Sequence, residues 1–272
     1  MLIDSHCHLN RLDLTAYNGN LAAVLSQSEI LGVRAFLSVA VTLGEHEALR
    51  QIAQDFPQVF ISVGQHPDEA PGEPITSETI LAQAQHPKVI AIGETGLDYY
   101  RLTGDLTWQR DRFITHIECA KQCAKPLIIH TRSAQKDTID IMQSTQAREI
   151  GGVMHCFTED WDMAKQALDL NFYISFSGIV TFKNAHILQE VARKVPLDRF
   201  LIETDSPYLA PVPFRGKPNI PGYVCYVAEY IAGLRGVPIS EIAKASTENF
   251  IRLFKLNPDR LNLDKLNSGA TS

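Results

Sequence analysis

The 272-residue chain contains no run of eighteen or more apolar residues, so no membrane-spanning helix is expected. The opening apolar pair, Leu2 and Ile3, gives way to a charge at Asp4, which argues against a secretory leader. Cysteine is sparse and odd in number. Cys7, Cys119, Cys123, Cys156 and Cys225 lack the spacing of a disulfide framework, which suits a reducing compartment, and the expected location is cytoplasmic. Cys119 and Cys123, one helical turn apart, read as packing residues or free thiols. Basic residues are in deficit as well. A formal net charge of −6 excludes a protein that coats nucleic acid through a broad basic surface, while leaving room for a local cationic site. Heptads, low-complexity blocks and tandem repeats are missing, and no GxGxxG or Walker loop follows the first apolar run.

What is there is enough apolar sequence, 45% of the chain, for a sizeable core. Eight short β-branched and apolar runs recur near 2–6, 33–41, 59–66, 89–95, 126–132, 151–157, 172–178 and 200–207. Most are too continuously apolar to be half-exposed antiparallel strands. Their spacing of roughly 20–37 residues fits strand-helix units feeding a buried parallel sheet. The intervening segments are amphipathic: Phe113, Ile117, Ala120 and Ala124 share one stripe of 107–125, and Val224, Val227, Ala228 and Ile231 one stripe of Pro221 to Gly236. Eight such units favour a closed α/β architecture, a (β/α)8 TIM barrel over 1–257 as a single domain, with extra C-terminal helices over 221–257. An open doubly wound sheet is the alternative. Residues 258–272 read as a C-terminal extension whose tail, Leu266 to Ser272, is expected to fray.

The chemistry collects at the carboxyl ends of the predicted strands. His6 and His8 end the first, with Cys7 between them pointing the other way. Glu94 lies on the fourth, His130 ends the fifth, His155 the sixth and Asp205 the eighth. In a barrel these ends converge on one mouth. Four imidazoles and two carboxylates form a mixed donor set suited to divalent ions, and too large for one tetrahedral ion, so two ions are expected. His66, in "GQHP", either orients a ligand or substrate or fixes the turn before Pro67. His46, His86, His116 and His186 fall in helices or at their ends and are expected to be solvated or packing residues.

The blocks "DSHCHL", "GETGLDYY", "PLIIHTR", "GGVMHCF", "FYISFSG" and "LIETDSPYLAP" resemble, in this order, the motif series of the TatD-type metal-dependent deoxyribonucleases, particularly their YcfH-like branch. The resemblance extends from Ile3 to about Phe254, and the family is similar to the amidohydrolase superfamily, with a metal centre at the mouth of a TIM barrel. It implies that His6, His8, Glu94 and Asp205 surround one ion and Glu94, His130 and His155 the other, with Glu94 bridging. Many related binuclear hydrolases bridge with a modified lysine on strand four, but Lys88 precedes that strand, at the wrong end of the barrel. Glu94 supplies the carboxylate instead.

The activity implied is hydrolysis of phosphodiester bonds in DNA, a single strand or an end, possibly 3′ to 5′, with Zn, Mg or Mn as cofactor. Asp205 is the candidate proton acceptor, and Glu94 acts with it. Glu203 shares the face of Asp205 and reads either as a support to this shell or as half of an ion pair. Arg132, Arg215 and Lys217 are candidate phosphate contacts, or solvated charges. Tyr99, Tyr100, Phe157 and Tyr208 either stack on bases or pack the lid of the barrel. Two other readings are carried: an ester or amide hydrolase such as a D-aminoacyl-tRNA deacylase, and a nucleic-acid-binding barrel without turnover. No obligate protein partner is expected.

Overall fold

The computed structural model describes residues 1–69, 75–100 and 102–257. The extension over 258–272, and with it the tail from Leu266, lies outside the described residues.

Eight parallel strands neighbour one another in chain order: β1 (Leu2–Cys7), β2 (Val33–Ser38), β3 (Val59–Val63), β4 (Val89–Asp98), β5 (Leu127–Arg132), β6 (Gly152–Met154), β7 (Phe172–Phe176) and β8 (Phe200–Ile202). The sheet closes where β1 meets the segment after β8. The Ser5 hydroxyl donates to the Ile202 carbonyl (2.9 Å), Asp205 N–H to the His6 carbonyl (2.9 Å) and His8 N–H to the Ser206 carbonyl (2.8 Å). Asp4, fully buried at this seam, accepts from the Thr204 N–H (2.9 Å) and hydroxyl (2.6 Å). Sequential order, parallel pairing and a closing seam make a TIM barrel.

The helices are α1 (Leu21–Ile30), α2 (His46–Asp55), α3 (Ser77–Ala84), α4 (Thr107–Cys123), α5 (Gln135–Ser144), α6 (Trp161–Asp169), α7 (His186–Lys194), α8 (Val224–Arg235) and α9 (Ile239–Leu253). They form the outer layer. Phe113, Ile117 and Ala120 of α4 and Val224, Val227, Ala228 and Ile231 of α8 are buried against the strands, as their spacing requires. Ala124 departs from its expected place: the helix stops at Cys123, and Ala124 is an exposed left-handed cap. The barrel interior holds a second cluster, including Ile3, Ala35, Phe60, Ala91, Ile128, Val153, Tyr173 and Leu201, which Phe250, Leu253 and Phe254 of α9 and its end cover. Asn249 fixes this plug by donating to the Leu197 and Phe200 carbonyls.

Strand lengths differ from the expected runs where the site begins. β6 stops at Met154 and β8 at Ile202, so His155 and Asp205 sit on irregular backbone just beyond; β4 continues to Asp98. β1 shows why. Ile3 faces the interior, so strict alternation would send His6 outward, but the register breaks between Asp4 and Cys7 and both His6 and His8 turn into the mouth. Cys7 points away from them, its thiol against the Leu37 carbonyl.

Candidate metal centre

Glu94 lies at the centre, 2% exposed, and its two oxygens face different partners. Oε2 is 3.4 Å from His6 Nε2. Oε1 is 2.9 Å from His155 Nε2, 3.1 Å from His130 Nδ1 and 3.4 Å from His66 Nε2. Glycine permits this approach. Gly96, at φ +136°, would carry a Cβ only 2.0 Å from the His130 carbonyl, so a side chain there would push β4 from β5.

On the Oε2 side, His6 Nε2 and His8 Nε2 are 3.3 Å apart, and Asp205 Oδ1 lies 3.6 Å from the first and 3.3 Å from the second. Donor atoms sharing a tetrahedral ion at its usual bond lengths stand roughly 3.3–3.5 Å from one another, so these atoms are spaced to share a cation. The His8 Nδ1–H donates to the Val39 carbonyl (2.9 Å), which leaves Nε2 as the free donor atom. His6 Nδ1 is buried without a hydrogen-bond partner, and the His6 ring stacks on His155 at 3.8 Å.

On the Oε1 side the compact group is His66, Glu94 and His130. His155 touches Glu94 but groups also with His6 and Glu203. Glu203 is already satisfied. It accepts from His155 Nδ1–H (3.0 Å), Cys156 N–H (2.8 Å) and the Ser175 hydroxyl (2.5 Å), so it orients His155 instead of offering a free donor. His66 serves both of its readings: Nδ1 packs on Asp68, 3.1 Å from its backbone nitrogen and 3.4 Å from its carboxylate, which shapes the turn, while Nε2 faces Glu94 and His130.

The electrostatics follow from packing opposite charges in a dry mouth. Burial alone would raise Glu94, but His155 and His66 hold it well below the usual carboxylate range. Burial likewise opposes the shift at Asp205, where His8 and His155 pull the carboxyl down. Among the imidazoles, burial and His155 lower His6. At His66 burial works the other way from Glu94 and Asp68, which win and raise it to about 9.

The family described as TatD related DNase matches residues 3–255. The chain belongs to that family. It is thus one of the TatD-related metal-dependent hydrolases. It is 46% identical over 260 residues to the uncharacterized metal-dependent hydrolase YcfH of Escherichia coli (strain K12), covering 96% of this chain and 98% of that one. It is 40% identical over 260 residues to the corresponding protein YabD of Bacillus subtilis (strain 168), covering 94% and 100%. Among solved structures, the TatD homologue YJJV of Escherichia coli superposes with a TM-score of 0.83 at 27% identity, covering 94% and 98%.

Around this TatD-type mouth, the expected substrate contacts divide. The Arg132 guanidinium lies 3.8 Å over the exposed Tyr100 ring, and that of Arg215 lies 4.4 Å over Phe182. Arg215 and Lys217 are exposed on the segment after β8, where Phe214 stacks on Tyr223 at 4.2 Å, just before α8, and meets Tyr226 of α8 at 5.1 Å. Tyr208 is half-exposed, edge-on to His8. Tyr99 is engaged elsewhere, donating its hydroxyl to Asp137 (2.8 Å), which also receives Arg110. Phe157, buried in the outer core, has no face to offer a base, so of its two readings packing is the one that stands. Asp98 went unnoticed in the sequence, although its position four residues after Glu94 puts it on the same face of β4. Its carboxylate accepts from His130 Nε2–H at 3.1 Å.

Proposed function

We propose that the chain is a divalent-metal-dependent hydrolase that cleaves phosphodiester bonds in DNA at the barrel mouth, with two ions as cofactor. The observation that carries this is Glu94, whose two oxygens face separate groups of imidazoles. His6, His8, Asp205 and Glu94 Oε2 would hold one ion. Glu94 Oε1, His130 and His155 would hold the other, with His66 beside them. Both donor sets, imidazole with carboxylate, fit Zn or Mn, and the carboxylates fit Mg. When bound, such ions lower the pKa of a water and polarise a phosphoryl oxygen.

The chain's own residues do the rest. Asp205, whose side chain is 13% exposed against 3% for Glu94, is the carboxylate that opens to the mouth, and it takes the proton of the attacking water. Arg132 and Arg215 grip phosphates on either side, while Lys217 adds diffuse positive charge. Tyr100 and Tyr208, exposed at the rim, stack on unpaired bases, which favours a single strand or an end over the middle of a duplex. The family name supports a nucleic-acid substrate.

Purified protein, stripped with chelator and reloaded with Zn, Mg or Mn, should be assayed side by side on single-stranded DNA, RNA, aminoacyl-tRNA and simple esters. Metal-dependent turnover highest on DNA is expected. Turnover confined to aminoacyl-tRNA or esters would replace the nuclease reading, and binding without turnover at any loading would end the enzymatic one.

A further inference from the structure

We propose that Asp98 is a positioning residue that fixes the ring orientation and tautomer of His130. The inference rests on the reading of His130 as a metal ligand. His130 is held from both ring nitrogens: Nδ1 is 3.1 Å from Glu94 Oε1 and Nε2 is 3.1 Å from Asp98 Oδ2. Ionised carboxylates only accept, so both Glu94 and Asp98 call for the ring proton; once a divalent ion takes the Nδ1 lone pair on the side of Glu94 and His66, the proton would have to sit on Nε2, where Asp98 accepts it. The three neighbouring imidazoles are held differently. Val39 takes the Nδ1–H of His8, Glu203 takes that of His155, and Asp68 packs on the Nδ1 side of His66, so each of these turns Nε2 to the centre. Only at His130 must the orienting group lie on the other side of the ring, and Asp98 occupies that side.

Asp98 is itself held rigidly. It is 1% exposed, and Oδ1 accepts from Tyr100 N–H at 2.9 Å. Its backbone is clasped by Gln109 of α4, whose Oε1 accepts from Asp98 N–H (3.0 Å) and whose Nε2 donates to the carbonyls of Asp98 (3.1 Å) and Pro67 (2.9 Å). One buried glutamine thus ties the residue behind His130 to the turn that carries His66. A carboxylate paired to the far nitrogen of a ligating histidine fixes its tautomer and raises its basicity, and loss of such a partner typically weakens metal binding about 10–100-fold.

Asp98→Asn separates this role from a structural one. The amide oxygen still satisfies Tyr100 N–H, so the turn stands, but the NH2 then faces His130 Nε2 and donates to it, which drives the ring proton to Nδ1. The reversed amide would oppose two donors at Tyr100. Two measurements decide the matter: nitrogen NMR of labelled histidine in the zinc-loaded protein, and zinc titration against a chromophoric chelator. The expected result is an Nε2–H tautomer for wild-type His130 and an Nδ1–H tautomer in Asp98→Asn. One ion of the pair should then bind about 10–100-fold more weakly, with a comparable loss in Asp98→Ala. An unchanged tautomer, or zinc affinity within about twofold of wild type in both variants, would overturn the role of Asp98. A wild-type chain that binds no divalent ion would instead defeat the metal reading of the site, on which the role of Asp98 rests.

Discussion

Glu94→Gln replaces one charged oxygen with an amide nitrogen at a side chain whose two oxygens face different imidazoles. The variant should bind fewer ions per chain, measured by elemental analysis, while the metal-free melting temperature stays near wild type; two ions and normal turnover would remove Glu94 as a bridge. Asp205→Asn should lower kcat by about 10²–10⁴-fold with KM on DNA changed little, because it removes a proton acceptor and no remote contact. At this scale the ligand candidates were legible because histidine and carboxylate at strand ends are out of place in a dry barrel core. Asp98 was not, since "GLDYY" reads as an ordinary polar turn until β4 is seen to run through it. For Phe157 the sequence leaves stacking and packing open, because adjacency to His155 and Cys156 does not say whether a ring enters the mouth; burial decides for packing.

Elements decide how these side chains meet. The eight parallel strands and the apolar stripes of α4 and α8 were readable from periodicity, because burial on both faces, or along one stripe, writes itself into the sequence. The ends of β6 and β8 and the register break in β1 were not, since they depend on contacts across the closing seam. Gly96→Ala tests the β4 and β5 approach: a Cβ 2.0 Å from the His130 carbonyl on a φ of +136° should lower the melting temperature markedly and impair metal retention. His116 of α4 supplies a pH prediction. Its Nδ1–H donates to the Arg112 carbonyl, its Nε2 accepts from Gln65 N–H, and burial lowers its pKa from 6.5 to about 4. The unfolded chain therefore takes up a proton below 6.5 that the folded chain refuses until about 4, so stability present above 6.5 is lost across that window. Denaturant unfolding of the metal-free protein should show a loss of about 3 kcal/mol from this group, smaller in His116→Gln.

For the whole molecule, the proposed nuclease activity requires an acidic chain with net charge −6 to draw an anionic substrate through local charge at its mouth. Arg132→Ala and Arg215→Ala should each raise KM for DNA severalfold and reduce the salt slope by about one, with metal content unchanged. If both keep the wild-type KM and slope, the rim is no phosphate clamp. The central claim is tested most directly by the hydrolysis rate of a single-stranded DNA oligonucleotide, measured on chelator-stripped protein during titration with a divalent ion. The account predicts no turnover in the stripped protein, recovery that saturates near two ions per chain, and no recovery in Glu94→Gln. Full turnover in the stripped protein, or none at any loading, would contradict it.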